Sequence, residues 1–132
     1  MNHPNTVERL REVFLCVADP DEAAGRFQRY LGRKPEKIDG GWTIPCDRGG
    51  VVLLGRNRFE ECLPGIEIPG LPYIAGYVLE CRDLDACRVC LKGNQIVYRE
   101  LTPGVVAVAL PAALGGCLLF TGGNVALPWS RQ

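Results

Sequence analysis

One block of this sequence returns, and a chain built from two copies of one unit has few folds open to it. Gly41 to Gly55 reads as an apolar strand, Pro45, a short loop, Gly49-Gly50 and a second apolar strand. Val106 to Phe120 repeats that order around Pro111 and Gly115-Gly116. A shift of 66 lays Pro45 on Pro111, Gly49 on Gly115, Gly50 on Gly116 and Leu53 on Leu119. Further upstream a shift of 64 lays Phe14 to Asp19 on Val78 to Asp83, and Asp21 on Asp85. A small insertion therefore separates the two alignments.

Each copy carries the same local signals. Val13, Leu15 and Val17 alternate with Phe14 and Cys16, as in a strand covered on both faces. Asp19-Pro20-Asp21-Glu22 is a helix start: Asp19 caps, Pro20 suits the first turn, and acids favour the positive end of the dipole. Ala23, Phe27, Tyr30 and Leu31 give that helix an apolar stripe, and Gly32 ends it. Residues 34–38 form a short strand and Asp39-Gly40-Gly41 a hairpin turn. In the second copy Tyr77 to Cys81 is a strand, Asp83 a cap, and Leu84, Cys87 and Leu91 one helical face closed by Gly93-Asn94. Residues 95–101 and 105–110 pair around Thr102-Pro103-Gly104, and 116–121 complete the copy. Two strand-helix-strand-strand-strand modules follow, each with a helix on one sheet face. The other faces remain to enclose a space.

The modules divide the chain. Residues 1–9 are a lead-in or connector, and 10–121 a single domain made of module one (about 10–56), a linker (57–73) and module two (about 74–121). Residues 122–132 are a C-terminal tail whose Pro128 and Trp129 would be costly to leave in water, so they are expected to cover a neighbour. Asn57 to Cys62 is a candidate short helix in an otherwise turn-rich linker.

Charge narrows the partners. Fifteen basic and fifteen acidic side chains cancel, which argues against nucleic acid or an anionic membrane as partner. With no apolar leader and no run of membrane-spanning length, a cytoplasmic protein is expected. Seven cysteines is an odd number, and most adjoin apolar residues, so they are read as reduced core thiols. Cys87 and Cys90 form a Cys-x-x-Cys, but Cys87 falls on the apolar helical face past the cap, where packing is the better reading than redox chemistry. The glycine pairs lack a phosphate-loop signature, and Ser130 has no histidine placed for a triad.

Paired modules of this size resemble the vicinal oxygen chelate superfamily of glyoxalase I, bleomycin-resistance proteins and extradiol dioxygenases. The likeness is carried by Val17 to Ala24 and Glu80 to Ala86, which look like its strand-to-helix signature. Leu63-Pro64-Gly65 and Leu71 to Gly76 are similar to its "glyoxalase-like domain" subgroup, and His3-Pro4-Asn5 to a connector between tandem domains. The resemblance implies an α+β fold: two tandem βαβββ modules forming a curved mixed sheet, a cup with helices on the outer face. It also implies a homodimer.

In metal-using members, four side chains inside the cup hold a divalent ion. Carried over, those positions are Glu12, Gly76, Leu53 or Leu54, and Leu119 or Phe120. Only Glu12 has a donor atom, and the single histidine, His3, lies outside the modules. Such an ion needs three or four convergent donors, so no metal and no other cofactor is expected. The candidate cup residues are Glu12, Phe14, Trp42, Leu53, Arg56, Gly76, Val78 and Leu119, with Arg56 and Arg58 at the mouth. Glu12 is the candidate catalytic residue: desolvation would raise its pKa and suit it to act as a base or to hold a cation. The competing reading is a rim carboxylate paired with an arginine. The first functional expectation is metal-free binding of a small organic molecule, as in the drug-sequestering members. The alternatives are a lyase or isomerase using Glu12, and a structural dimerisation domain.

Overall fold

The computed structural model describes residues 7–66, 68–111, 115–123 and 125–130. The connector motif His3-Pro4-Asn5 lies outside them, as do Ala112 to Leu114 of the repeat.

The first strand, β1 (Val7–Val17), begins inside the expected lead-in. Helix α1 (Pro20–Leu31) follows under the Asp19 cap, whose carboxylate accepts from Glu22 N–H at 3.2 Å. Gly32 ends it in the left-handed region (φ 66°), donating its N–H to Gln28 O. The buried stripe of α1 is Ala23 and Ala24 with Phe27 packed beside them, whereas Tyr30 and Leu31 are exposed. Next come β2 (Glu36–Ile38), β3 (Gly41–Cys46), β4 (Gly49–Gly55) and α2 (Arg56–Cys62). The plan restarts with β5 (Tyr73–Cys81) and α3 (Leu84–Gly93), where Asp83 accepts from Ala86 N–H at 3.1 Å. Strands β6 (Arg99–Thr102), β7 (Val105–Ala109) and β8 (Cys117–Thr121) precede a 3-10 turn at Pro128–Ser130.

The eight strands among the described residues form one mixed sheet in the order β2-β3-β4-β1-β5-β8-β7-β6. The modules join where β1 runs antiparallel to β5, while β1/β4 and β5/β8 are parallel. Alternation along β1 sends Phe14 and Cys16 to the concave face and Leu15 and Val17 to the side of α1. Two small cores lie under α1 and α3, and the largest fills the concave side.

Register corrects the repeat. Phe14 pairs with Val52, and its counterpart Val78 pairs with Leu119. The equivalent of Leu119 is therefore Val52, a shift of 67, and Leu53 matches Phe120. The two hairpins differ in length. Cys46 pairs with Gly49 around a tight turn at Asp47-Arg48, but β7 and β8 close through Leu110 N–H to Gly116 O at 3.1 Å. Pro45 thus lies inside β3, whereas Pro111 lies in the longer loop. The similarity that exposed the duplication joins residues that are not structural counterparts.

Candidate functional site

The concave face is assembled from both modules. Phe14 pairs with Val52 on one side and Gly76 on the other; Glu12 pairs with Val78, which pairs with Leu119. Five of the eight candidate residues, Glu12, Phe14, Gly76, Val78 and Leu119, therefore share this face. Gly76 is required by crowding: a β-carbon there would stand 1.9 Å from Cys117 O and 2.7 Å from Phe14 Cζ.

Of the other three candidates, two lie on the opposite face, and the third, Arg56, sits at the rim of the concave side. Trp42 and Leu53 are cross-strand partners, and both point to the opposite face, into the core under α1. Trp42 donates its Nε1–H to Asp21 of α1 at 2.7 Å, with Lys37 over its ring at 5.0 Å. Leu53 is one residue out of step with the cup-facing Val52 and Leu54, and a single-residue step turns a strand residue to the other face. Arg56 opens α2 on the surface, paired with Glu60 at 3.6 Å, beside a cleft of about 370 Å³ that Cys16 and Phe59 also line. Arg58 makes ion pairs with Asp39 and Glu61.

The centre of the cup is filled by the chain itself. Phe59, Cys62 and Leu63 enter from α2 and its end, Leu127 and Trp129 from the last described segment. Phe14 meets Trp129 at 5.1 Å between ring centroids and Phe59 at 6.5 Å. Beside this plug an open cleft of about 500 Å³ remains on module one, lined by Arg11, Glu12, Thr43, Pro45, Gly50 and Ser130 among others.

Glu12 is an acid of that cleft that also neighbours Trp129 of the aromatic centre. Burial pushes its pKa above the ordinary glutamate value, opposed by the Arg11 guanidinium and by the indole N–H of Trp129. Its Oε1 is buried without a hydrogen-bond partner, as are Arg11 Nη1 and Trp129 Nε1. A carboxylate in this condition can accept a hydrogen bond or cation from a ligand, or take a proton.

The same face does not fit a divalent ion. Glu12 is accompanied at the carried-over positions by Gly76, Leu119 and, in true register, Val52, none with a donor atom. Among the described residues no three His, Cys, Asp or Glu side chains come together as a metal group. The nearby thiols do not substitute. Burial raises the pKa of Cys16 and pushes Cys117 up to about 12, so neither supplies a thiolate. All seven cysteines are free; Cys87 is buried on the core-facing side of α3.

Sequence reasoning missed Trp129, Phe59, Thr43 and Pro45 as parts of the cup. Thr43 and Pro45 were accessible in principle, because alternation puts them opposite to Trp42 on β3. Trp129 and Phe59 reach the cup through tertiary packing, for which the sequence carries no periodic signal.

No family model and no curated protein matches this sequence. Solved structures do match. A methylmalonyl-CoA epimerase from Mycobacterium tuberculosis superposes with a TM-score of 0.64 at 18% identity, covering 92% of each chain. A methylmalonyl-CoA epimerase in complex with methylmalonyl-CoA and NH4+ gives 0.62 at 10% identity, over 92% of this chain and 98% of that one. The 2,3-dioxygenase LapB from Pseudomonas sp. KL28 gives 0.61 at 14% identity, over 89% of this chain and 41% of that one. At such identities the likeness is one of fold. The chain has the paired βαβββ fold of the vicinal oxygen chelate proteins.

Proposed function

We propose that this protein binds a small organic molecule without a metal ion, in the module-one cleft, with Glu12 as its polar anchor. The observation that carries the reading is Glu12 Oε1, buried and unpartnered at the wall of an open cleft. Ligand sites of this kind combine an apolar wall with a few convergent polar groups. Ile38 and Pro45 supply the wall here, Glu12 and Arg11 the polar groups. A ligand with a cationic or N–H group would complete the carboxylate's hydrogen bonding.

A thermal-shift screen of small aromatic and cationic compounds tests this. A ligand at one hundred times its Kd stabilises the folded state by about 2.7 kcal/mol, and that gain should vanish in Glu12→Leu. Hits that stabilise both proteins equally, or stoichiometric Zn, Ni, Mn or Fe at Glu12 in purified protein, would sink the reading.

A second reading is an isomerase or lyase in which Glu12 removes a proton. It is favoured by the raised pKa, which moves the carboxylate toward useful basicity. It predicts deuterium exchange at an acidic carbon of a bound ligand, lost in Glu12→Gln. The structural reading draws support from the filled centre, and predicts no ligand at all.

A homodimer belongs to the same proposal. Leu10, Ile74 and Tyr77 stand 45%, 55% and 42% exposed on the outer face of β1 and β5, where a second copy would cover them. Sedimentation of wild type against Tyr77→Glu tests it.

A further inference from the structure

Glu12 lines the open cleft and neighbours Trp129 of the aromatic centre, and both groups are incomplete there. Trp129 is 1% exposed, yet its Nε1–H has no acceptor, and Glu12 Oε1 has no donor. Buried tryptophans ordinarily place that N–H on a partner. Here donor and acceptor are neighbours: the indole N–H is within hydrogen-bonding influence of the carboxylate and lowers its pKa, but the contact falls short of a well-formed bond at Nε1 and Oε1. The indole ring itself is well placed, against Phe14 in the core.

The segment that carries the ring is held differently from the strands around it. Val125 rests on Gly104 and Gly122, and Leu127 and Trp129 enter the core as side chains. The segment's backbone bond, Ser130 N–H to Leu127 O at 3.0 Å, closes on the segment itself. Among the described residues no backbone hydrogen bond ties this segment to the sheet, so its opening would expose Leu127 and Trp129 without breaking a strand ladder.

We infer that Trp129 is a displaceable occupant of a ring subsite, and that the cup's ligand carries a planar ring with an N–H donor that replaces the indole on Phe14 and completes the bond to Glu12. The inference rests on the reading of the Glu12 cleft as a ligand site and narrows its ligand class. It also makes the segment Val125–Ser130 a regulator of affinity, because a ligand that must expel the ring binds only the open fraction of molecules.

Two measurements on the full chain test it. The first needs no ligand: exchange of the Trp129 indole N–H, followed by 15N NMR. It should be at least about tenfold faster than the most protected β1 amides and independent of low denaturant. Exchange at the global unfolding rate would overturn the inference and leave the cleft reading standing. The second titrates benzimidazole into wild type, Trp129→Ala and Trp129→Ala/Glu12→Leu. Trp129→Ala should bind at least about tenfold tighter than wild type, and the double variant should lose most of that gain. Trp129→Leu repeats the comparison with less disturbance of the core. Equal affinities in all three proteins would overturn the ring subsite. If the indole exchanges by local opening but no ring probe binds any variant, the cleft reading falls and the inference with it.

Discussion

Phe14 and Gly76 are cross-strand partners, and the Phe14 ring occupies the room in which a Gly76 side chain would stand. The contact joins the two modules at the middle of the sheet, so the ring and the missing side chain are complementary choices. Gly76→Ala would bring its β-carbon to 1.9 Å from Cys117 O, where backbone rather than a flexible side chain must yield. Overpacking costs about 1–3 kcal/mol in ordinary cores, and the upper end is expected here. Urea unfolding checks it, and a loss below about 0.5 kcal/mol would contradict the crowding.

Glu12 makes stability depend on pH in a direction unlike most carboxylates. Its folded-state pKa is raised above the usual value of 4.5, chiefly by burial. The folded state then holds the proton more tightly than the unfolded one, so stability falls as pH rises from 4.5 through the raised value. Below 4.5 the side chain is protonated in both states and the penalty is absent. Glu12→Gln should therefore melt higher than wild type at pH 8, with the gap closing as pH approaches 4. A gap that widens on acidification would show that the carboxylate is stabilised by partners instead.

Trp42 and Asp21 provide the contrasting test, because they lie on the other face. The Trp42 N–H is the main cause of the lowered Asp21 pKa, with Lys37 second. Trp42→Phe should raise the Asp21 pKa toward the ordinary range in a carbon-13 NMR titration. The Glu12 titration and any ligand binding at the cup should be unaffected. A shift in Glu12 would mean that Trp42 does reach the concave side.

Much of this was legible in the sequence because it rests on local rules. Asp19 and Asp83 cap their helices as their positions imply, and alternation in β1 puts Glu12 and Phe14 on the cup face. The resemblance supplied the fold, which the superposed structures share. What misled was the pairing of Leu53 with Leu119, since Pro and Gly-Gly recur in both hairpins while the turns differ in length. A period of two leaves no tolerance for a single-residue slip, and Leu53 consequently faces α1. The filling of the cup was illegible for another reason. Phe59 and Trp129 lie in short elements whose direction of entry is set by packing, not by periodicity.

Phe14 and Trp129 should differ in what their removal costs, in an order opposite to their size. Phe14 is fully buried on β1, with hydrogen-bonded neighbours on both sides, so Phe14→Ala should cost about 3–5 kcal/mol. Trp129 is larger and equally buried, and on size alone would cost at least as much. A side chain on a segment that opens separately, however, can cost the whole fold no more than the free energy of that opening. Trp129→Ala should thus be the milder substitution, and the variant should keep the cooperative unfolding of wild type. Urea midpoints of the two variants decide the matter. If Trp129→Ala costs as much as Phe14→Ala, the segment belongs to the cooperative core and the ring is not displaceable.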